Sequence, residues 1–323
     1  MKSGLPLEYE VFDYLEKKGC QSRFEYSYLK LNENAVETEF SFDIDAAYIK
    51  GENHEHYFNL MIECKYRDES TNWLFLPYSY DSYDLRHTCF LHELDVFNKE
   101  LKYPYINPEM PQIGKACTKG IEIASTGHNP KSITQAVNQL NYAMASNILS
   151  SLDNQYTVAL ANDTIFYHIP IIVTTANIYR MEEGTCIADI KNSSSIEDFS
   201  TKEDCIVLNI TAGKDLENHN REVLFSLLDS YDAEELKSKM NFHTDDIGFF
   251  LSVIAKHKCP SSIIVIQHTK DNSGLNKLFE LLDNIISPSK ATLEYLKARQ
   301  EELDKIDKEL DWLLADDSNV DQD

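Results

Sequence analysis

The chain has 323 residues, 42% of them hydrophobic, enough to bury a sizeable core as one large domain or two ordinary ones. Its 54 acidic and 30 basic side chains leave a formal charge of −24, unfavourable for gripping nucleic acid by counterion release unless a locally basic groove, a divalent metal or a more basic partner offsets it. No apolar run reaches the roughly eighteen residues of a membrane helix and no basic-then-apolar leader opens the chain. The seven cysteines include no CxxC pair, so reduced thiols, a cytoplasmic location and no membrane association are expected.

Residues 5–18 carry Leu7, Val11, Phe12 and Leu15 at helical spacing, and Gly19 is placed to stop that helix. Alternating or clustered aromatic and β-branched residues predict strands over 24–31, 39–49 and 57–66, the last two separated by a polar turn containing His54 and His56. Residues 68–131 are rich in Tyr, Pro, Asn and His and read as an insertion of loops and short elements, too long to be structureless. Ile133, Val137, Leu140, Met144 and Ile148 then predict a helix over 132–149, introduced by Pro130 and Ser132. A strand apolar on both faces follows at 166–175. Strands over 204–211 and 262–269, with helices near 217–230, 246–257 and 275–286, complete an alternating α/β pattern. From Pro288 a last helix repeats Leu296, Leu303 and Leu310 every seventh residue, with Ile306 and Leu313 beside them and Arg299 interrupting. It reads as a helix docked on its own domain, followed by an acidic, disordered tail at 315–323.

The chemistry-bearing residues lie on the second and third strands. With a period of two, Phe42, Ile44 and Ala46 are expected on one face and Asp43 and Asp45 on the other, while Met61, Glu63 and Lys65 share a face of the partner strand. Carboxylates from neighbouring strands can hold Mg²⁺, which binds through one or two carboxylates plus a substrate phosphate. A lysine two residues on can orient the attacking hydroxide and stabilise the transition state.

The run Phe42-Asp43-Ile44-Asp45-Ala46-Ala47-Tyr48, a spacer, and Leu60-Met61-Ile62-Glu63-Cys64-Lys65 resembles the PD-(D/E)xK nuclease superfamily, particularly its restriction-endonuclease and Holliday-junction-resolvase branches. Leu7-Glu8-Tyr9-Glu10, ahead of an apolar helix and a glycine, is similar to the family's opening helix. The proline of the family's name is absent. The resemblance implies a three-layer α/β/α restriction-endonuclease-like core with a mixed sheet over 1–180, interrupted by the insertion at 68–131. An additional α/β region, packed on or extending that core, would cover 181–287 and a helical extension with its tail 288–323. It further implies Asp45, Glu63 and Glu10 as metal ligands, Lys65 as the catalytic lysine and Gln135 as an auxiliary catalytic residue, with Mg²⁺ or Mn²⁺ as cofactor. Asp43 competes with Asp45 for the ligand role, and Asp45 is preferred because the apolar run starts directly after it. The implied activity is endonucleolytic cleavage of DNA in bacterial restriction or antiphage defence, with RNA an open alternative. The alternative class is a non-catalytic subunit on the same scaffold that binds an ATPase or helicase; a homo-oligomer is compatible with either.

Other signals weigh less. His87, Cys89 and His92 have no second ligand pair at zinc spacing. The aromatics from Trp73 to Tyr83 can stack unpaired bases but more often cover a core. Lys115, Lys119 and Lys131, near Gly114, Gly120 and Gly127, can line a basic groove or a solvated loop. No GxxxxGK[ST] loop or GxSxG elbow is present.

Overall fold

The computed structural model describes residues 4–31, 37–51, 56–78, 91–97, 113–124, 127–129, 131–158, 164–240, 244, 246–269 and 274–286, together with 294, 297, 298, 301 and 305. The chain is a mixed α/β protein. In order it forms α1 (Leu5–Lys17), β1 (Gln21–Leu31), β2 (Glu37–Lys50), β3 (His56–Lys65), β4 (Asn72–Pro77), β5 (Glu93–Leu94), β6 (Lys115–Ala124), β7 (Gly127–Asn129) and α2 (Lys131–Thr157). There follow β8 (Ile165–Thr174), β9 (Asn177–Met181), α3 (Ile187–Asn192), β10 (Ser200–Glu203), β11 (Cys205–Asn209), α4 (Lys214–Phe225), α5 (Leu227–Ser230), α6 (Ala233–Lys239), α7 (Ile247–His257), β12 (Ser262–Gln267) and α8 (Leu275–Ile286).

All the described strands join one mixed sheet, ordered β1-β2-β3-β8-β12-β11-β6-β4-β9-β10, with β5 paired to β8 and β7 to β6. Strands β1, β2 and β3 are antiparallel neighbours, whereas β3, β8 and β12 run parallel. Every residue of β8 and β12 is buried, as expected of parallel strands covered on both faces. Contacts divide the chain into one unit of 1–101 and 112–278, which contains every described strand, and a second of 102–111 and 279–323.

The structure gives the short elements of residues 68–131 a definite place, because β4 and β6 from this stretch are strands of the main sheet. Strands after residue 180 extend the same sheet: β12 pairs with β8 and β11 with β6, so strands from both sides of that point interleave. Such pairings join residues far apart in the chain, and local periodicity carries no information about them. Gly120 of β6 is demanded by this packing, since a Cβ there would lie 2.4 Å from the Phe75 ring of β4. The heptad seam and acidic tail lie outside the described residues, apart from isolated helical positions.

Helix α1 ends as its sequence requires. Gly19 adopts φ 85°, its N–H bonds the Glu16 carbonyl at 2.9 Å, and the Cys20 N–H reaches the Leu15 carbonyl at 3.0 Å. Helix α2 runs to Thr157, eight residues past its expected end at Leu149, because no glycine or proline interrupts it and Leu152 and Gln155 continue its buried side. Gln155 is held by the carbonyls of Leu94 and Thr164, at 2.9 and 3.3 Å.

The two helices cover opposite faces of β1–β3. Ala136, Leu140 and Met144 of α2 pack in one cluster with Met61, Phe42, Ile172 and Val265, whereas Leu7, Val11 and Leu15 of α1 are buried outside it. Phe12 of α1 stacks on Phe24 of β1 with centroids 4.3 Å apart, and Phe24 pairs across to Ile44, which pairs to Ile62. Among the described residues no helix is long and apolar enough to cross a membrane.

Candidate active site

The site forms where three strands part company. β3 stays paired to β8 as far as Lys65 opposite Thr174, but its ladder with β2 ends at Ile62 opposite Ile44. Two residues on, the Asp43 carboxylate accepts the Cys64 N–H at 2.6 Å. Opposite Asp43 in the β1–β2 register sits Glu25, whose φ of 56° is costly for a residue with a Cβ.

This irregularity reverses the strand faces. Phe24 and Tyr26 should share a face, yet Phe24 stacks on α1 while Tyr26 packs on the α2 cluster and stacks on Phe42 at 5.1 Å. Phe42 belongs to the α2 cluster and Ile44 does not, so the expected grouping of Phe42, Ile44 and Ala46 on one face is corrected. Asp43 and Asp45 are separated by the same break.

Glu63 is 1% exposed, beside Asp43. Its Oε1 bonds the Lys65 ammonium, and its Oε2 is buried without a hydrogen-bond partner. Burial, followed by the charge of Asp43, pushes the Glu63 carboxyl up to about 7, against the lowering effect of Lys65. Asp43 is also raised, chiefly by burial, although the Cys64 N–H and Lys65 favour its charged form. Glu8 of α1 is raised by burial and then by Asp43 and Glu25. Three carboxyls from α1, β2 and β3 therefore resist ionising together, and Lys65 opposes each of those shifts.

Lys65 is positioned from both sides. The Thr174 hydroxyl donates to its carbonyl at 2.9 Å, and the Gln139 Oε1 accepts from its ammonium at 3.3 Å. Gln139 also donates from Nε2 to the Ser41 carbonyl at 3.1 Å, tying α2 to β2 beside the site. Just beyond Lys65, Arg67 bonds Glu122 of β6 at 2.6 Å and the Ser132 hydroxyl at the start of α2.

The structure thus brings together Glu63, Lys65, Asp43, Gln139 and Glu8. Asp45 faces away from this group, paired to Arg23 at 2.8 Å. Glu10 has a side chain 65% exposed, 3.8 Å from His268. Gln135 is exposed. Gln139 lies one helical turn beyond Gln135, and the same periodicity could have nominated it. Glu8 was equally available, because Glu8 and Glu10 both stand three residues from the buried Leu7–Val11–Leu15 stripe, Glu8 from Val11 and Glu10 from Leu7. Arg67 had no local signal, since its partners come from β6 and α2.

Among the described residues no three His, Cys, Asp or Glu side chains gather as a ready metal cage. A Mg²⁺ site does not require one, because that ion keeps several waters and binds through one or two carboxylates plus substrate phosphate. Asp43 and Glu63 supply such a pair, and the unpartnered, buried Glu63 Oε2 is a hard oxygen that fits a cation.

The lesser signals resolve differently. His92 uses both ring nitrogens, donating from Nδ1 to the His168 carbonyl at 2.9 Å and accepting the Ser261 N–H on Nε2 at 2.8 Å, while His87 and Cys89 lie outside the described residues. Trp73 and Phe75 are fully buried, so neither is a base-stacking platform; Tyr80 and Tyr83 lie outside the described residues. Lys115 is paired to Glu203 at 3.1 Å, and Lys119 and Lys131 are exposed. No protein-family model, curated protein or solved structure matches the chain.

Proposed function

We propose that this chain is a metal-dependent nuclease that hydrolyses phosphodiester bonds in DNA, built on a restriction-endonuclease-like core of α1, β1–β3, β8 and α2. The observation that carries the reading is the Glu63–Lys65 pair at the end of β3 beside Asp43, with one Glu63 oxygen buried and unpartnered. Asp43 and Glu63 would hold Mg²⁺ or Mn²⁺. When bound, that ion supplies charge for the phosphoryl oxygens and acidifies a water.

In this reading the protein's own groups act as follows. The Lys65 ammonium, held by Gln139, neutralises charge that develops on the phosphate. Glu63, raised to about 7 in the metal-free protein, gives up its proton as a cation arrives. Glu8 borders the same space and orients the attacking water. The restriction or antiphage setting rests on resemblance alone, and the charge of −24 supports delivery of substrate by a more basic partner such as an ATPase or helicase.

Incubation of plasmid, single-stranded DNA and RNA with the full chain and Mg²⁺ or Mn²⁺, beside Lys65→Ala, tests the reading. Metal-dependent cutting lost in Lys65→Ala with an unchanged melting temperature is expected; cutting confined to RNA changes the substrate but keeps the chemistry. Absence of both cleavage and calorimetric Mn²⁺ binding overturns it.

A further inference from the structure

A second cleft, of about 590 Å³, lies between β1–β3 and the C-terminal half of α2. Its volume is that of a small-molecule site. Tyr26, Tyr57 and Phe166 supply flat aromatic walls, and Asn59, Asp45 and Arg23 supply the polar groups.

The polar groups are oriented by a buried network. Asn147 Oδ1 receives both the Asn59 Nδ2 group and, at 2.9 Å, the Nδ1 of the fully buried His168. This arrangement spends the Asn59 donor inside the protein and leaves its Oδ1 buried without a partner in the cleft wall. Asp45 is similar: its Oδ2 is taken by Arg23 at 2.8 Å, and its Oδ1 is buried and unpartnered. Unpaired buried acceptors are costly, and both belong to residues that line one cavity. They call for a ligand that brings N–H donors.

The rest of the lining narrows the class. Aromatic walls favour a planar ligand. Arg23, with its side chain 65% exposed at the cleft, disfavours a cationic ligand and favours an anionic group beside the planar one. A nucleobase carrying a phosphate meets every requirement. Guanine fits best, because its N1–H and exocyclic amine present two donors side by side to acceptors.

We infer that this cleft is a nucleobase site selective for guanine, filled either by a free guanine nucleotide or by an unstacked guanosine of a nucleic acid. An extruded base read by hydrogen bonds to its pairing edge and held between aromatic rings is a known physical solution for such a site. The inference does not depend on phosphodiester cleavage by Glu63 and Lys65.

The test is calorimetric titration of the full chain with GMP, IMP and CMP, and with a duplex carrying one bulged guanosine. Asp45→Asn and Ser150→Trp are the variants; Ser150 is an exposed α2 position on the cleft, so tryptophan there blocks the opening without disturbing the core. GMP binding that falls tenfold or more for IMP, which lacks the exocyclic amine, and in both variants is the expected result for a free nucleotide. Binding of the bulged duplex alone, lost in Ser150→Trp, assigns the nucleic-acid source. No binding of either probe, or binding that both variants retain, overturns the inference.

Discussion

The Asp43 carboxylate accepts the Cys64 N–H at 2.6 Å just where the β2–β3 ladder ends, and this bond turns Asp43 toward Glu63 while Asp45 remains with Arg23. If Asp43 is a metal-holding carboxylate, Asp43→Asn weakens Mn²⁺ binding by at least tenfold, whereas Asp45→Asn leaves it within about twofold. Calorimetry on the metal-free chain measures both, and the reverse ranking restores Asp45 to the ligand role. Asp43→Ala additionally loses the Cys64 acceptor, at about 1–3 kcal/mol of stability.

The Glu63 carboxyl has a clear pH signature. Its pKa is about 7 in the fold against an ordinary 4.5, raised first by burial and then by Asp43. A carboxyl that holds its proton more tightly in the fold contributes stability fully below 4.5, and that contribution disappears as pH rises through about 7. The metal-free chain should therefore lose on the order of 2 kcal/mol relative to Glu63→Gln across this window. Urea denaturation at a series of pH values gives the difference directly. A pH-independent difference contradicts it, and Mg²⁺ added near pH 8 should narrow it.

Gln139 links Lys65 to the Ser41 carbonyl, while Gln135 is exposed one turn earlier. Under the nuclease reading, Gln139→Ala lowers the single-turnover cleavage rate about tenfold by loosening the lysine. Gln135→Ala has little effect. Equal losses in the two variants would assign them a general helix effect.

Arg67 is a structural residue of the site's border. Its guanidinium bonds Glu122, which is 5% exposed and also accepts the Trp73 indole N–H at 3.0 Å. Burial raises the Glu122 carboxyl, but hydrogen bonds from Arg67, Ser132 and Trp73 outweigh it and hold the group below its ordinary range. Removing Arg67 strands a buried charge, so Arg67→Ala should cost roughly 3 kcal/mol in chemical denaturation. Adding Glu122→Gln should recover part of that loss. Additive destabilisation in the double variant would show that the pair is not coupled.

Much of the local structure was legible from residue order. Leu7, Val11, Leu15 and Gly19 define α1 and its end; the apolar run of β8, the Ser262–Gln267 strand and the 247–257 and 275–286 helices fall within a few residues of their expected positions. The expected 217–230 helix instead divides into α4 and α5 at Ser226, whose hydroxyl bonds the Val223 carbonyl at 2.7 Å. That detail is a short-range hydrogen bond invisible to apolar periodicity.

By itself the sequence determined where helices and strands form and that Glu63 and Lys65 share a strand end, because side-chain periodicity and glycine stops act within a few residues. Only the tertiary structure decided which carboxylate joins them. The period-two rule assumes an unbroken strand, and the positive φ of Glu25 opposite Asp43 breaks it. The same holds for Gln139, Arg67 and the β3–β8, β8–β12 and β6–β11 pairings of the sheet, each set by partners more than fifty residues away in the chain and brought close by burial of the shared core.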